Sequence, residues 1–105
     1  MEKAINYGVP DAAIKALADG AKVFIGECRG GMADEFMGKG GKIFQQYKIV
    51  IEQGPGKSIS VNGFLPDGVN HTDWKCPIPV GQRVMGFVTG MDGKRGTVNA
   101  VLTKL

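Results

Sequence analysis

Hydrophobic and polar residues change their spacing along this chain from a helical period to a period of two. Residues 10–20 carry the helical signal. Pro10 and Asp11 suit a first helical turn, Ala12, Ala13, Ile14, Ala16, Leu17 and Ala18 are mostly good helix formers, and Gly20 is a natural stop. Ile14 and Leu17 fall three apart on one face, so this short helix must pack on something to be stable. Residues 22–28 then alternate, with Val23 and Ile25 on one face and Phe24 on the other. A longer alternation over residues 43–51 puts Ile43, Tyr47, Ile49 and Ile51 on one face and Phe44, Lys48 and Val50 on the other. Between these two predicted strands, residues 29–42 read as a mobile connection that ends in Gly38-Lys39-Gly40-Gly41-Lys42.

The turn Gln53-Gly54-Pro55-Gly56 closes the second strand; Ile59, Val61 and Leu65 line a third, which Pro66-Asp67-Gly68 ends. A polar, proline-marked connection with His71, Trp74, Pro77 and Pro79 leads to a fourth strand over residues 83–91. Asp92-Gly93 is a two-residue hairpin signal, and residues 96–105 return as a fifth strand. Five strands, a short helix and glycine at the bends predict a mainly β protein. We expect a five-stranded OB-like β-barrel with a short N-terminal α-helix: residues 1–21 as the N-terminal segment and residues 22–105 as the barrel domain. Glycine supports this, since 17 of 105 residues is about twice the usual share of roughly 7%. No internal repeat or linker interrupts the pattern.

Composition narrows the setting. The apolar stretches are too short to span a bilayer, and the opening Met1-Glu2-Lys3-Ala4-Ile5-Asn6 leads into no continuous apolar region. We therefore expect no membrane partner, no secretory signal and a cytoplasmic location, the host's cytoplasm if the chain is viral. Two cysteines, Cys28 and Cys76, are too few for a disulfide framework and read as ordinary thiols. The formal net charge is +3. Its distribution says more: residues 1–38 hold four basic and six acidic side chains, net −2, while residues 39–105 hold nine basic and four acidic, net +5. Such polarity suits a polyanionic partner.

Catalytic and cofactor chemistry finds little equipment. Gly56-Lys57-Ser58 resembles the end of a phosphate-binding P-loop, but that motif needs a glycine where Ile51 stands and a helix where a strand follows. His71, Asp73 and Cys76 are close in sequence, yet with Cys28 the chain holds three Cys/His residues in all, short of a structural zinc set. A Cys–His nucleophile pair lacks an orienting third member, and Asp34 and Glu35 are placed in the connection, where a pre-organised acid/base pair is not expected. The expectation is a non-enzyme without cofactor or metal.

What remains is basic and aromatic together. Lysine on glycine-rich backbone offers charge to phosphates, and a ring offers a stacking surface to a base. The candidates are Arg29, Phe36, Lys39, Lys42, Phe44, Lys48, Phe64, Trp74 and Arg83. Phe44, Lys48 and Phe64 are expected on one side of the second and third strands, with Ile43, Tyr47, Ile49, Ile51, Ile59 and Val61 filling the barrel. For any single ring, burial in a core is the competing reading.

The run Gly41-Lys42-Ile43-Phe44 opening a long strand, the turn after Gln53, the strand ending in Leu65-Pro66-Asp67-Gly68, the proline-rich connection and the closing hairpin around Gly93 resemble the single-stranded DNA-binding (helix-destabilising) proteins of filamentous bacteriophages. The similarity covers residues 22–105 and lies in element order and turn placement. It implies an OB-fold barrel that forms a homodimer or higher homo-oligomer and coats single-stranded DNA during replication without sequence preference. It further implies that Lys39, Lys42 and Lys48 meet phosphates and that Phe44 is a stacking ring. Here an isoleucine separates the lysine from the aromatic, and about twenty residues precede the barrel, which departs from the family pattern. RNA is the alternative nucleic acid. A small barrel that serves protein interaction or assembly, with no nucleic acid, is the alternative class.

Overall fold

The computed structural model describes residues 22–92 and 96–105, together with Ala18 and Gly20. The helix expected over residues 10–20 lies outside the described residues, apart from those two positions. Five strands follow in order: β1 (Lys22–Met37), β2 (Ile43–Gly54), β3 (Lys57–Phe64), β4 (Arg83–Asp92) and β5 (Thr97–Lys104), with one 3-10 turn, Lys39–Gly41, between β1 and β2. They close into a barrel in the order β1-β2-β3-β5-β4. Every ladder is antiparallel except β3–β5, which is parallel and joined at the single pair Val61↔Val98.

Alternation explains which residues fill the barrel. Phe24 and Cys28 of β1, Tyr47, Ile49 and Ile51 of β2, Val61 of β3, Val84 of β4 and Val98 and Leu102 of β5 all turn inward and are buried. Each such side chain contributes about 1.5–3 kcal/mol when fully buried. The connection between β3 and β4 adds Leu65 and Ile78 and is tied to the barrel by its backbone. Leu65 N donates to Gln45 O (3.0 Å), Cys28 N to Gln82 O (2.9 Å) and Gly81 N to Cys28 O (2.8 Å).

The observed strands depart from the sequence reading at β1. It does not stop at residue 28 but runs on to Met37, because residues 30–37 pair with β2 down to Phe36↔Phe44 and Met37↔Ile43. Asp34 and Glu35 are thus strand residues rather than part of a mobile connection. A bulge between Cys28 and Gly30, where Gly30 has φ 119, resets the alternation. Even-numbered residues face inward before it (Phe24, Gly26, Cys28), and odd-numbered ones after it, where Gly31 pairs with Ile49 and Ala33 with Tyr47. Uninterrupted alternation would point Phe36 inward; the bulge points it outward. Ile43, expected in the barrel, is 54% exposed, because the β1–β2 hairpin carries it past the end of the core. Ile59 is only partly buried at the core margin.

Two rings set the interior width. A Cβ on Gly86 would collide with the Phe24 ring, and one on Gly63 would come within 2.6 Å of the Tyr47 hydroxyl. Gly86→Ala should therefore cost about 1–3 kcal/mol through overpacking, measured by urea unfolding. Adding Phe24→Leu to that variant should recover part of the loss, whereas Phe24→Leu alone should destabilise.

Candidate functional site

The residues out of phase with Tyr47 on β1, β2 and β3 make one outward face. Cross-strand pairing aligns Phe36 with Phe44, Asp34 with Gln46 and Phe64, and Met32 with Lys48 and Asn62. At the hairpin end of this face three phenylalanines meet. Phe36 and Phe44 stack at 5.3 Å between centroids, Phe44 and Phe64 lie 5.6 Å apart at 41°, and Phe36 and Phe64 lie 6.5 Å apart. Phe64 is 61% exposed, and Phe36 and Phe44 are half-buried against their neighbours. An aromatic cluster open on one side keeps a ring face available while its members hold one another in place.

Charge is placed beside the rings. Lys42 Nζ sits 5.4 Å from the Phe44 centroid, a cation–π distance. The hairpin tip is closed by Gly38 N donating to Lys42 O (2.7 Å) and Gly41 N to Gly38 O (3.3 Å), with Gly40 and Gly41 at positive φ. The tip is thus a defined turn, and it leaves Lys39 and Lys42 exposed. The Phe44 ring lies over Gly38, where a Cβ would meet it at 2.5 Å. A groove runs from Lys42 and Phe44 past Phe64 to Pro66 and Asp67. Lys48 is exposed further along the face.

Polar side chains fasten the hairpin. Gln46 Nε2 donates to Asp34 Oδ1 (2.8 Å), and Gln45 Nε2 to Glu35 Oε2 (3.0 Å). On the inward side, His71 N donates to Gln45 Oε1 (2.8 Å), with His71 Nδ1 2.7 Å from the same oxygen. His71 is therefore a strut between the β3–β4 connection and the hairpin.

Of the nine candidates, Phe36, Lys39, Lys42, Phe44, Lys48 and Phe64 come together on this face and its tip. The other three do not. Trp74 stacks on Tyr47 at 5.8 Å and packs against the core, so its ring covers the barrel interior. Arg29 is bound to Glu52 (3.0 Å) and lies 3.8 Å from Glu27; the hydrogen bond to Glu52 and the two carboxylate charges raise its pKa. Arg83 aligns with Glu27 at the end of the β1–β4 ladder, away from Phe36 along β1. Gln46, Asn62 and Met32 share the face and were not candidates from sequence, and Asp34 was weighed there only as half of an acid/base pair; the places of Met32 and Asp34 on this face depend on the bulge. Among the described residues no group of three or more His, Cys, Asp or Glu is placed to hold a metal ion.

The thiols converge instead on one carbonyl. Cys28 Sγ lies 3.6 Å and Cys76 Sγ 3.4 Å from Ile78 O, and both cysteines are free. Burial pushes the Cys76 thiol above its ordinary pKa, opposed by a backbone hydrogen bond with Ile78 and reinforced by neighbouring Cys28.

Comparison of this chain with protein-family models, with curated proteins and with solved structures returns no match.

A raised thiol pKa favours the protonated native state, so its stabilising contribution is present below the ordinary thiol value of about 8.5 and is lost as pH rises through the native one. In urea unfolding between pH 7 and 10.5, the stability difference between wild type and Cys76→Ala should therefore shrink as pH increases. A difference independent of pH would contradict the burial of this thiol.

Proposed function

We propose that this protein is a non-catalytic single-stranded nucleic-acid-binding protein, with single-stranded DNA as the ligand, captured by charge and held by base stacking. One observation carries the reading: Phe36, Phe44 and Phe64 cluster on the outside of the barrel with Lys42 over one ring and Lys48 on the same face. Aromatic clusters are ordinarily interior, and a solvent-facing one beside cations is the combination that single strands use. The strand order β1-β2-β3-β5-β4 with its one parallel contact supports an OB-like reading, and OB-folds bind oligonucleotides on the strand 2–3 face and its flanking loops. The resemblance to filamentous-phage single-stranded DNA-binding proteins points the same way. It extends the proposal to a homodimer or higher homo-oligomer, a replicative role and a cytoplasmic setting.

Assembly without nucleic acid is the second reading, favoured by Val23 (44% exposed) and Ile25 (42%) side by side on the outer surface of β1. Light scattering with and without oligonucleotide separates the two, since an oligomer indifferent to DNA favours assembly.

Fluorescence anisotropy with labelled oligo-dT at several salt concentrations tests the first reading. With Lys39, Lys42 and Lys48 on phosphates, log K should fall against log salt with a slope of about −2; absence of binding at low salt would sink it. Phe44→Ala should weaken binding about tenfold, from the roughly 1–3 kcal/mol carried by a stacked base, with the far-ultraviolet circular dichroism spectrum retained. Arg29→Ala should leave the affinity within about twofold, as expected for a cation already engaged by two carboxylates.

A further inference from the structure

Next to the aromatic cluster the same face sinks into a depression that its cations do not explain. It is lined by Met32, Asp34, Gln46, Lys48 and Asn62, with Thr97 at its β5 side. Asp34 accepts from Gln46 through Oδ1 only, and no cation lies within ion-pair distance of it among the described residues. Thr97 is 5% exposed, and its hydroxyl oxygen is buried with no hydrogen-bond partner. A carboxylate is misplaced on a surface meant for phosphates, and a buried hydroxyl without a partner costs free energy. The carboxylate becomes useful if what enters the depression is the edge of a base.

Resting on the reading of this face as a single-strand binding surface, we propose that the depression is a guanine-selective subsite. Lys48 and Asp34 stand diagonally across the β1–β2 ladder, since Lys48 aligns with Met32 and Asp34 with Gln46, a separation that long side chains bridge. This puts a donor and an acceptor at diagonal positions of one face, outside ion-pair distance of each other, with room between them for a base edge. The guanine Watson–Crick edge is complementary: O6 accepts, and N1–H and N2–H donate together. Among the four DNA bases only guanine offers two adjacent donors to a carboxylate. Oδ2 of Asp34 is open, and Oδ1 keeps a second lone pair beside its bond from Gln46. Lys48 carries three N–H donors, so one reaches O6 while another stays on a phosphate, and Met32, 64% exposed, supplies an apolar flank. Thymine, with one donor between two acceptors, would set a carbonyl against the carboxylate. The protein then coats any single strand but settles in register where a guanine falls at this position.

The test compares oligo-dT with the same oligonucleotide carrying one central guanine, or one central inosine, by anisotropy at low salt. A well-formed bidentate edge contact predicts about tenfold tighter binding of the guanine strand. Inosine, which lacks the N2 amino group, should lose most of that gain. Asp34→Asn should erase the preference and strengthen oligo-dT binding, because it removes a negative charge from the face. These opposite signs would not follow from simple misfolding. Equal affinity for all three strands, or a guanine preference that survives Asp34→Asn, overturns the subsite and leaves the binding function standing. Failure of every strand to bind overturns both.

Discussion

The interior of a five-stranded barrel is narrow, and here Phe24 crosses it above Gly86 and Tyr47 crosses it above Gly63. Each ring needs a neighbouring position without a Cβ, on the facing strand of its own ladder. Much else depends on this fit. With Tyr47 fixed inward, its neighbours Gln46 and Lys48 must face out, and the ladders carry that phase to Asp34, Phe64, Met32 and Asn62. Trp74 then finds its place as a lid stacked on Tyr47. The tight interior and the outward face are two consequences of one packing arrangement.

This explains which features could be read from sequence. The alternation over β2 separates the buried Tyr47, Ile49 and Ile51 from Phe44 and Lys48, because a half-buried strand imposes a period of two. The turns at Pro55-Gly56 and after Leu65, and the strands β4 and β5, were legible for the same reason. The second half of β1 was not. Gly30, Gly31, Asp34 and Glu35 have low strand propensity, and they extend only because β2 pairs with them and because Gln45 and Gln46 bind the two carboxylates. A single residue inserted at the bulge decides on which side Phe36 lies, and alternation alone carries no trace of it.

The candidate site was partly legible on the same grounds. Lys42, Phe44 and Lys48 could be grouped because they are near neighbours in sequence around one strand. Phe36 and Phe64 join them only through cross-strand register. Trp74, by composition as good a stacking residue as any, is claimed by the core, and Arg29 by two carboxylates. Residue type proposes such candidates, whereas their competing partners decide whether they remain available. The acidic member, Asp34, could not be found by looking for positive charge.

The barrel hoop is uneven in strength. Four ladders are antiparallel and extended, whereas β3 meets β5 at the one pair Val61↔Val98, supplemented by Asn99 Nδ2 donating to Asn62 O at 2.7 Å. That clasp joins positions 37 residues apart, so the loop it closes is among the longer ones in the fold, and few hydrogen bonds offset the entropy of closing it. Where the hoop yields, it yields there. The outward face is therefore stiff at its aromatic end, pinned within the β1–β2–β3 ladders, and compliant along its border with β5. A strand lying across it would meet a rigid anchor first and a margin able to adjust around it second.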